Sequence, residues 1–369
     1  MLQRVLTLMY KEFLAVWRDK KSRMVLIVPP LIQLFIFSLA ATLDVKNVPI
    51  GIVNRDNGEK GFELVQRFHG SPTFNHIVYL DSVKEITPFI DNQRGVMVVS
   101  IDEQFSRNLD AHKPADVQLI LDGRKSNTAQ IVAGYTANIV QQFNHDITNK
   151  TSAYQQNTQL FPRNWYNPNL IYYWFNVPNL SGILTMLVAL IVTALSVARE
   201  RELGTFDQLL VSPLSPTEII FGKAIPAILI SMAEASIIIL AAILVFQIPF
   251  HGSILLLYLS IFVFSSAIVG VGLFISSLCS TQQQAILGTF VFMSPSVLLS
   301  GFATPIENMP YWLQPLTYTI PLRYFLVIAK GIMLKGMPFS IVFSNIWPMA
   351  LIACFTLVAA GWLFRRRLE

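Results

Sequence analysis

Residues 199–226 read RERELGTFDQLLVSPLSPTEIIFGKAIP. The stretch follows one apolar run of membrane length, 177–198, and leads into another that starts at Ala224. It packs Arg199, Glu200, Arg201 and Glu202, a Gly204-Thr205 pair, Ser-Pro pairs and Gly222-Lys223 into one short connection. In RERELGTFDQLL, residues Leu203, Phe206, Leu209 and Leu210 fall on one side of a helix while Arg201, Glu202 and Asp207 fall elsewhere. That spacing predicts a short amphipathic helix, ended by Ser212-Pro213. Ser215-Pro216-Thr217-Glu218 reads as an N-cap, a proline at the first helical position and an acid in the first turn, so a new helix starts there. A short amphipathic helix held between two spans suits a protein partner. The plainer reading is a solvated turn.

The totals place the chain in a membrane. Of 369 residues, 53% are apolar and 13% charged, where a soluble domain carries about 25% charge. The mean hydropathy is +0.52. A span needs roughly 20 apolar residues. Met24 to Leu43 is the first, and the prolines Pro29 and Pro30 within it are expected to kink it. Its apolar stretch is longer than a signal-peptide core, so an uncleaved anchor is expected. Val177–Ala198, Ala224–Ile248, Ser253–Leu278, 284–302 and Ile341–Phe364 make six spans in all. The fifth is interrupted by Pro295 between two serines. The 303–340 segment is too polar and proline-rich to cross. It reads as short half-helices re-entering one leaflet, tolerable only where protein buries them.

Basic flanks orient the spans. Residues 1–23 carry Arg4, Lys11, Arg18, Lys20, Lys21 and Arg23, and the chain ends RRRLE with Arg365, Arg366 and Arg367. Six spans put both ends on one side, so both termini are expected in the cytoplasm. The 199–223 loop then lies inside, and the 303–340 segment lies outside with three basic residues. Residues 1–23 place Val5, Leu6, Met9, Phe13, Val16 and Trp17 on one helical face, the pattern of a cytoplasmic interfacial helix.

The long polar stretch 44–176 is expected to be an external α/β domain between spans one and two. VPIGIVN (48–54), HIVYL (76–80), GVMVVSI (95–101) and DVQLILD (116–122) are strand-like, and helical stretches alternate with them. A long helix is expected from Thr128. WYNPNLIYYWFNVP (165–178) then supplies interfacial Trp and Tyr.

Chemistry is sparse. His69, His76, His112 and His145 have no ligand spacing, and no metal is expected. Cys279 and Cys354 sit in or beside apolar runs and read as packing residues. No G-x-x-x-x-G-K-[ST] occurs, so the chain is not expected to bind ATP through a P-loop, and no catalytic residue or cofactor is expected. The net charge of +5 reads as membrane-flanking rather than nucleic-acid-binding. Ser266-x-x-x-Gly270 with Gly272 allows close helix approach. Glu234 lies near the middle of the third span. A buried membrane carboxylate is costly and is a functional candidate by default, for ion handling or a substrate path, against the plainer reading of an interhelix hydrogen bond.

The stretch RERELGTFDQLLVSPLSPTEIIFGKAIP resembles the signature loop of ABC-2 type permeases, the membrane subunits of ATP-binding-cassette exporters. SLCSTQQQA (277–285) is similar to the turn before span five, and LLSGFATPIENMPYWLQPLTYTIPLRYF (298–325) to the family's outer re-entrant segment. The external domain with LILDGRKSNTAQIVAGY resembles the bacterial inner-membrane subgroup associated with multidrug export. The resemblance covers essentially the whole chain.

It implies six helices per subunit, pairing with an identical or paralogous permease, and a separate cytoplasmic P-loop ATPase that binds the ATP. It implies a coupling role for Arg199, Glu200, Arg201, Glu202, Gly204, Thr205, Asp207 and Glu218, with Gly204 permitting close packing and Glu200 or Glu202 pairing with basic residues on the ATPase. The N-terminal helix would help form the docking cleft, and the external domain would meet a periplasmic adaptor. A drug-like or lipid-like substrate would be moved out of the cell across the inner membrane. Glu234 maps onto no family motif. An ion-gradient-driven secondary transporter using Glu234 is the competing reading, but it leaves the 199–223 loop without a role. A membrane sensor would not need six spans.

Overall fold

The computed structural model describes residues 2–18, 20–40, 47–151, 166–167, 171–205 and 214–366. Asp207, the rest of the segment 206–213, Trp165 and Arg367 lie outside the described residues, as do the last five positions, 206–210, of the amphipathic helix expected from 199 to 210; its described part does not continue as a helix past Gly204, whose φ is +68°. The chain divides into two compact units, 42–162 and a second made of 1–41 with 163–369.

The smaller unit is an α/β fold. Its strands are β1 (Pro49–Asn54), β2 (His76–Tyr79), β3 (Met97–Ile101) and β4 (Val117–Leu121), one in each strand-like segment of the sequence. The sheet order is β2-β1-β3-β4. β1 runs parallel to β2 and to β3, whereas β4 lies antiparallel to β3 with Met97 opposite Leu121. Helices α3 (Glu59–His69), α4 (Ile86–Asp91) and α5 (Phe105–Asp110) connect the strands, and α6 (Ser126–Thr151) follows β4. β3 is buried at every position, the mark of a strand covered on both faces. Ile50, Leu64, Phe68, Met97 and Phe143 fill one side and Val53, Phe89 and Val98 the other. After β4 the chain turns at Asp122, whose carboxylate accepts from Arg124 Nε at 2.9 Å.

The larger unit is helical. It contains α1 (Leu2–Arg18), α2 (Lys20–Ala40), α7 (Tyr172–Glu202), α8 (Pro216–Leu244), α9 (Ile254–Leu278), α10 (Gln282–Leu299), α11 (Pro321–Lys330) and α12 (Phe339–Arg366). Among the described residues four helices are long and apolar enough to cross a membrane: α7, α8, α9 and α12. α2 and α10 form where the first and fifth spans were expected. The apolar part of α2 runs only over Leu26–Leu39, and α10 opens on three glutamines and carries Pro295. α7 and α8 both extend beyond the apolar runs, so the connection between them is shorter than 199–223. α7 continues to Glu202 and α8 already begins at Pro216.

α7 is the hub of the bundle, packing against α2, α8, α9, α10 and α11, while α12 lies along α9. Between apolar helices in lipid, close fit rather than water exclusion holds the assembly together. The small residues of α9 supply that fit. A side chain at Gly270 would collide with Thr356 and with the backbone of Leu357 on α12. Thr356 Oγ1 uses the approach to donate to Ala267 O at 3.2 Å. Residues 303–340 hold two short 3-10 turns and then α11. Leu322, Phe325, Leu326 and Ile328 of α11 are buried in the bundle core, with the Phe325 ring stacked 4.4 Å from Phe264.

Candidate coupling site

The last turn of α7 and its cap bring Arg199, Glu200, Arg201, Glu202, Gly204 and Thr205 together, and the three side chains of Glu200, Arg201 and Glu202 and the backbone at Gly204 and Thr205 are held in different ways. Gly204 closes the helix with φ +68°, a left-handed conformation that costs an L residue with a side chain roughly 1–2 kcal/mol. Thr205 N–H donates to Glu200 O at 2.9 Å and Gly204 N–H to Arg201 O at 3.1 Å. That pair of bonds is a complete Schellman cap. Among the described residues, its chain neighbours aside, no atom stands within 4 Å of where a Gly204 side chain would begin; the requirement seen for the glycine is its backbone conformation. The next described residues build the opposite cap. Ser215 Oγ accepts from Glu218 N–H at 3.3 Å while the Glu218 carboxylate accepts from Ser215 N–H at 2.8 Å. Together with Pro216 this is the capping box that opens α8.

Arg201 and Glu202 reach sideways to the α9–α10 turn. Arg201 Nη1 donates to Ser277 O at 2.9 Å and to Cys279 O at 3.0 Å. Glu202 Oε2 accepts from the backbone N–H of Gln282 at 2.9 Å, placing an acid at the positive N-terminal end of α10. Ser276 Oγ donates to Ala194 O at 2.6 Å and accepts from Ala198 N–H at 3.2 Å, stitching α9 into the backbone of α7.

Glu200 points the other way, into a cluster whose contacts among the described residues join four charges, three of them largely buried. Lys223 Nζ lies 2.7 Å from Glu200 Oε2 and 2.7 Å from Glu12 Oε1, and the Lys223 side chain is 1% exposed. Lys11 Nζ lies 2.6 Å from Glu200 Oε1. Ser196 Oγ accepts from Lys223 at 3.1 Å and donates to Glu12 Oε2 at 3.1 Å. Two cations and two anions sum to zero. Taking one such ion out of water costs several kcal/mol; here two carboxylates and a hydroxyl offset it. The cluster fastens α1, through Lys11 and Glu12, to the ends of α7 and α8. One turn away Leu8 rests on Gly222, where a Cβ would stand 2.8 Å from Leu8 Cγ. A cavity of about 270 Å³ borders the cluster.

α1 therefore has two apolar faces. Val5 and Leu8 are buried against the bundle, whereas Leu6, Tyr10, Phe13 and Trp17 of the expected interfacial stripe and its neighbourhood are exposed.

A family model described as "ABC-2 family transporter protein" matches residues 20–362. The chain belongs to the ABC-2 transporter family. It is 47% identical over 367 residues to the protein named "Probable multidrug ABC transporter permease YbhR" of Escherichia coli (strain K12), with the full length of both covered. It is 30% identical over 378 residues to "Probable multidrug ABC transporter permease YbhS" of the same organism, covering 100% of this chain and 98% of the relative. "Inner membrane transport permease YhhJ" of that organism is 27% identical over 370 residues, covering 98% and 95%. Family membership makes this chain a membrane transport component.

For an ABC-2 protein the distribution of the candidate residues is informative. Arg199 to Thr205 and Glu218 form one region at the facing ends of α7 and α8. Glu234 is not part of it, lying sixteen residues beyond Glu218 on α8, about 24 Å at the helical rise. Leu203, at the tip of α7, is 63% exposed and offers an apolar contact beside the exposed Glu202. Sequence reading gave no role to Glu12, Ser196 or the pairing of Lys223. The available signals were an acid on the inner face of α1 and a lysine two turns into α8.

Proposed function

We propose that the chain is the membrane permease subunit of an ABC exporter, driven by a separate cytoplasmic ATPase subunit that binds the ATP. The observation that carries this reading is the junction of α7 and α8, capped on both sides and fastened to α1 by the buried charge cluster. A partner that docks there moves three helices as one body. The exposed end of α7 at Glu202, Leu203 and Gly204, with Asp207 following, is the docking surface; Glu200 acts from inside by holding α1 in place. Six spans, formed by α2, α7, α8, α9, α10 and α12, put both termini and this junction in the cytoplasm. The smaller α/β unit, within the stretch expected outside at 44–176, then lies outside, where a periplasmic adaptor would meet it, and α11 re-enters from that side. A second permease subunit, identical or paralogous, completes the path. The words 'multidrug' and 'inner membrane' in the relatives' names support a drug-like substrate and an inner-membrane location; an amphipathic or lipid-like molecule is the wider class proposed.

The test is purification of the tagged full chain from its native membrane in mild detergent, with the co-purifying proteins identified and ATPase activity assayed. A P-loop ATPase with vanadate-sensitive turnover is expected in the eluate. Leu203→Glu combined with Asp207→Lys leaves the charge cluster untouched and is expected to reduce that recovery at least tenfold. Full recovery of the ATPase with this double variant would overturn the docking assignment. Transport in vesicles without ATP would favour the ion-gradient reading instead.

A further inference from the structure

α1, α2, α7 and α8 enclose a cavity of about 300 Å³ beneath the charge cluster, near the lower limit for a small-molecule pocket. Its walls are almost wholly apolar, with Leu31, Val188 and Ile237 among them, and the aromatic rings of Phe13 and Trp17 stand on the α1 side. Glu234 is the acidic residue in this wall. It is 9% exposed, and among the described residues neither carboxylate oxygen has a hydrogen-bond partner within ordinary geometry. Thr185 of α7 lies beside it, with Thr185 Oγ1 as the neighbouring hydroxyl, itself buried without another partner among the described residues. Lys223 does not serve it, being eleven residues back along α8, about 16 Å, and already paired with Glu12 and Glu200. Arg23 also lines the cavity, with its guanidinium 5.9 Å over the Trp17 ring.

A buried carboxylate without a partner in an apolar chamber is expensive to keep. An occupant that brings a positive charge and no hydrogen-bonding demand would compensate it. Aromatic faces attract the same ligand, since organic cations are held over ring quadrupoles. The residues at the rim, Phe13, Trp17, Ile27, Leu229 and Ile237, are exposed on their outer sides. A ligand dissolved in the membrane therefore reaches the cavity without crossing polar surface.

We propose that the cavity between α1, α2, α7 and α8 is a binding site for a lipophilic organic monocation, with Glu234 as its counter-charge and Phe13 and Trp17 as its aromatic wall. The proposal rests on the permease reading for its purpose, and it names the substrate class that such a site selects. Binding itself requires neither the ATPase nor transport.

The experiment uses the full chain in phosphatidylcholine nanodiscs and two probes of nearly equal shape, methyltriphenylphosphonium and neutral triphenylphosphine oxide. The wild type is expected to bind the phosphonium at least about tenfold tighter than the oxide. Glu234→Gln preserves shape and removes charge; it is expected to erase that preference while leaving oxide binding unchanged. Ile237→Trp fills the cavity and is expected to abolish binding of both. Equal affinity of the wild type for the two probes would overturn the proposal, even if the Gln variant failed to fold, because the cavity would then be an apolar recess only. An undiminished preference in a folded Glu234→Gln variant would overturn it as well. Co-purification of the ATPase, measured on the same preparations, keeps the two readings apart. Loss of phosphonium selectivity with the ATPase present removes the site and leaves the permease, and selectivity without an ATPase does the reverse.

Discussion

Replacing Lys223 by methionine keeps the side-chain length and removes one charge from the buried cluster. The lysine ammonium stands 2.7 Å from each of two carboxylates, on Glu12 and Glu200, whose side chains are 13% and 10% exposed. After substitution Glu200 keeps Lys11, at 2.6 Å but 52% exposed, and Glu12 keeps the Ser196 hydroxyl at 3.1 Å. Removing one partner of a buried pair costs about 3–5 kcal/mol, whereas an exposed partner such as Lys11 contributes about 0–1 kcal/mol. The loss from Lys223→Met falls on the docking of α1, because Glu12 is the acid that helix commits to the cluster. Burial of Val5 and Leu8, roughly 1.5–3 kcal/mol each as an upper bound, is of the same size, so the docked state loses a large share of its margin. The assay is hydrogen–deuterium exchange of the 2–18 peptide in the full chain in nanodiscs. A loss of 3 kcal/mol corresponds to more than a hundredfold faster exchange, at about 1.4 kcal/mol per decade. Lys11→Met is expected to change the rate less than about fivefold. The triple replacement Glu12→Gln, Glu200→Gln, Lys223→Met removes every buried charge and is expected to recover most of the protection. Wild-type exchange in Lys223→Met would refute the reasoning, as would a triple variant no better protected than the single one.

Further expectations follow from the caps and from the smaller unit. Gly204→Ala forces a side chain into the left-handed region and is expected to loosen the end of α7 by about 1 kcal/mol, with Gly204→Asn milder; exchange of the 195–205 amides reads both. Ser215→Ala removes the α8 capping box, at a cost of about 0.5–2 kcal/mol, and should raise exchange at Thr217 and Glu218 while leaving Lys223 docked. In the smaller unit, the side-chain hydrogen bond from Arg124 holds the Asp122 carboxyl below the usual carboxylate range, and Arg67 does the same to Asp146. A depressed folded-state value gives stability that is present above the unfolded value near 4 and is lost as the pH falls through the folded one. Exchange protection of the 96–101 strand, compared at pH 5 and pH 3 after correction for the intrinsic rate, should fall on acidification, and Asp122→Asn should reduce that fall.

Much of this architecture can be read from local sequence. Runs such as 254–278 are apolar all round, so length and hydropathy suffice. The four strand segments are short and flanked by turn residues, and each forms a strand. The Ser215-Pro216-Glu218 cap is legible because its partners are three residues apart. One boundary moved because helices do not stop where apolarity stops. α7 runs on through Arg199 to Glu202, whose charges find partners on α1 and the α9–α10 turn, and the real stop signal was Gly204. The charge cluster was out of reach for a different reason. Lys11 meets Glu200 across 189 residues of sequence and Lys223 meets Glu12 across 211, and a single sequence carries no trace of such pairings. Glu234 stood out at once as an acid in an apolar run, but its aromatic surroundings come from α1, which only the packing of the helices brings near.

The neutral cluster also constrains how such sequences can vary. Losing one member strands a buried charge, so a chain that replaces Glu12, Glu200 or Lys223 singly passes through a weakened intermediate. Substitutions that remove both signs together, or exchange them between α1 and α8, avoid that passage. These positions should therefore drift as a set, with Lys11, the solvent-facing member, the first to be free.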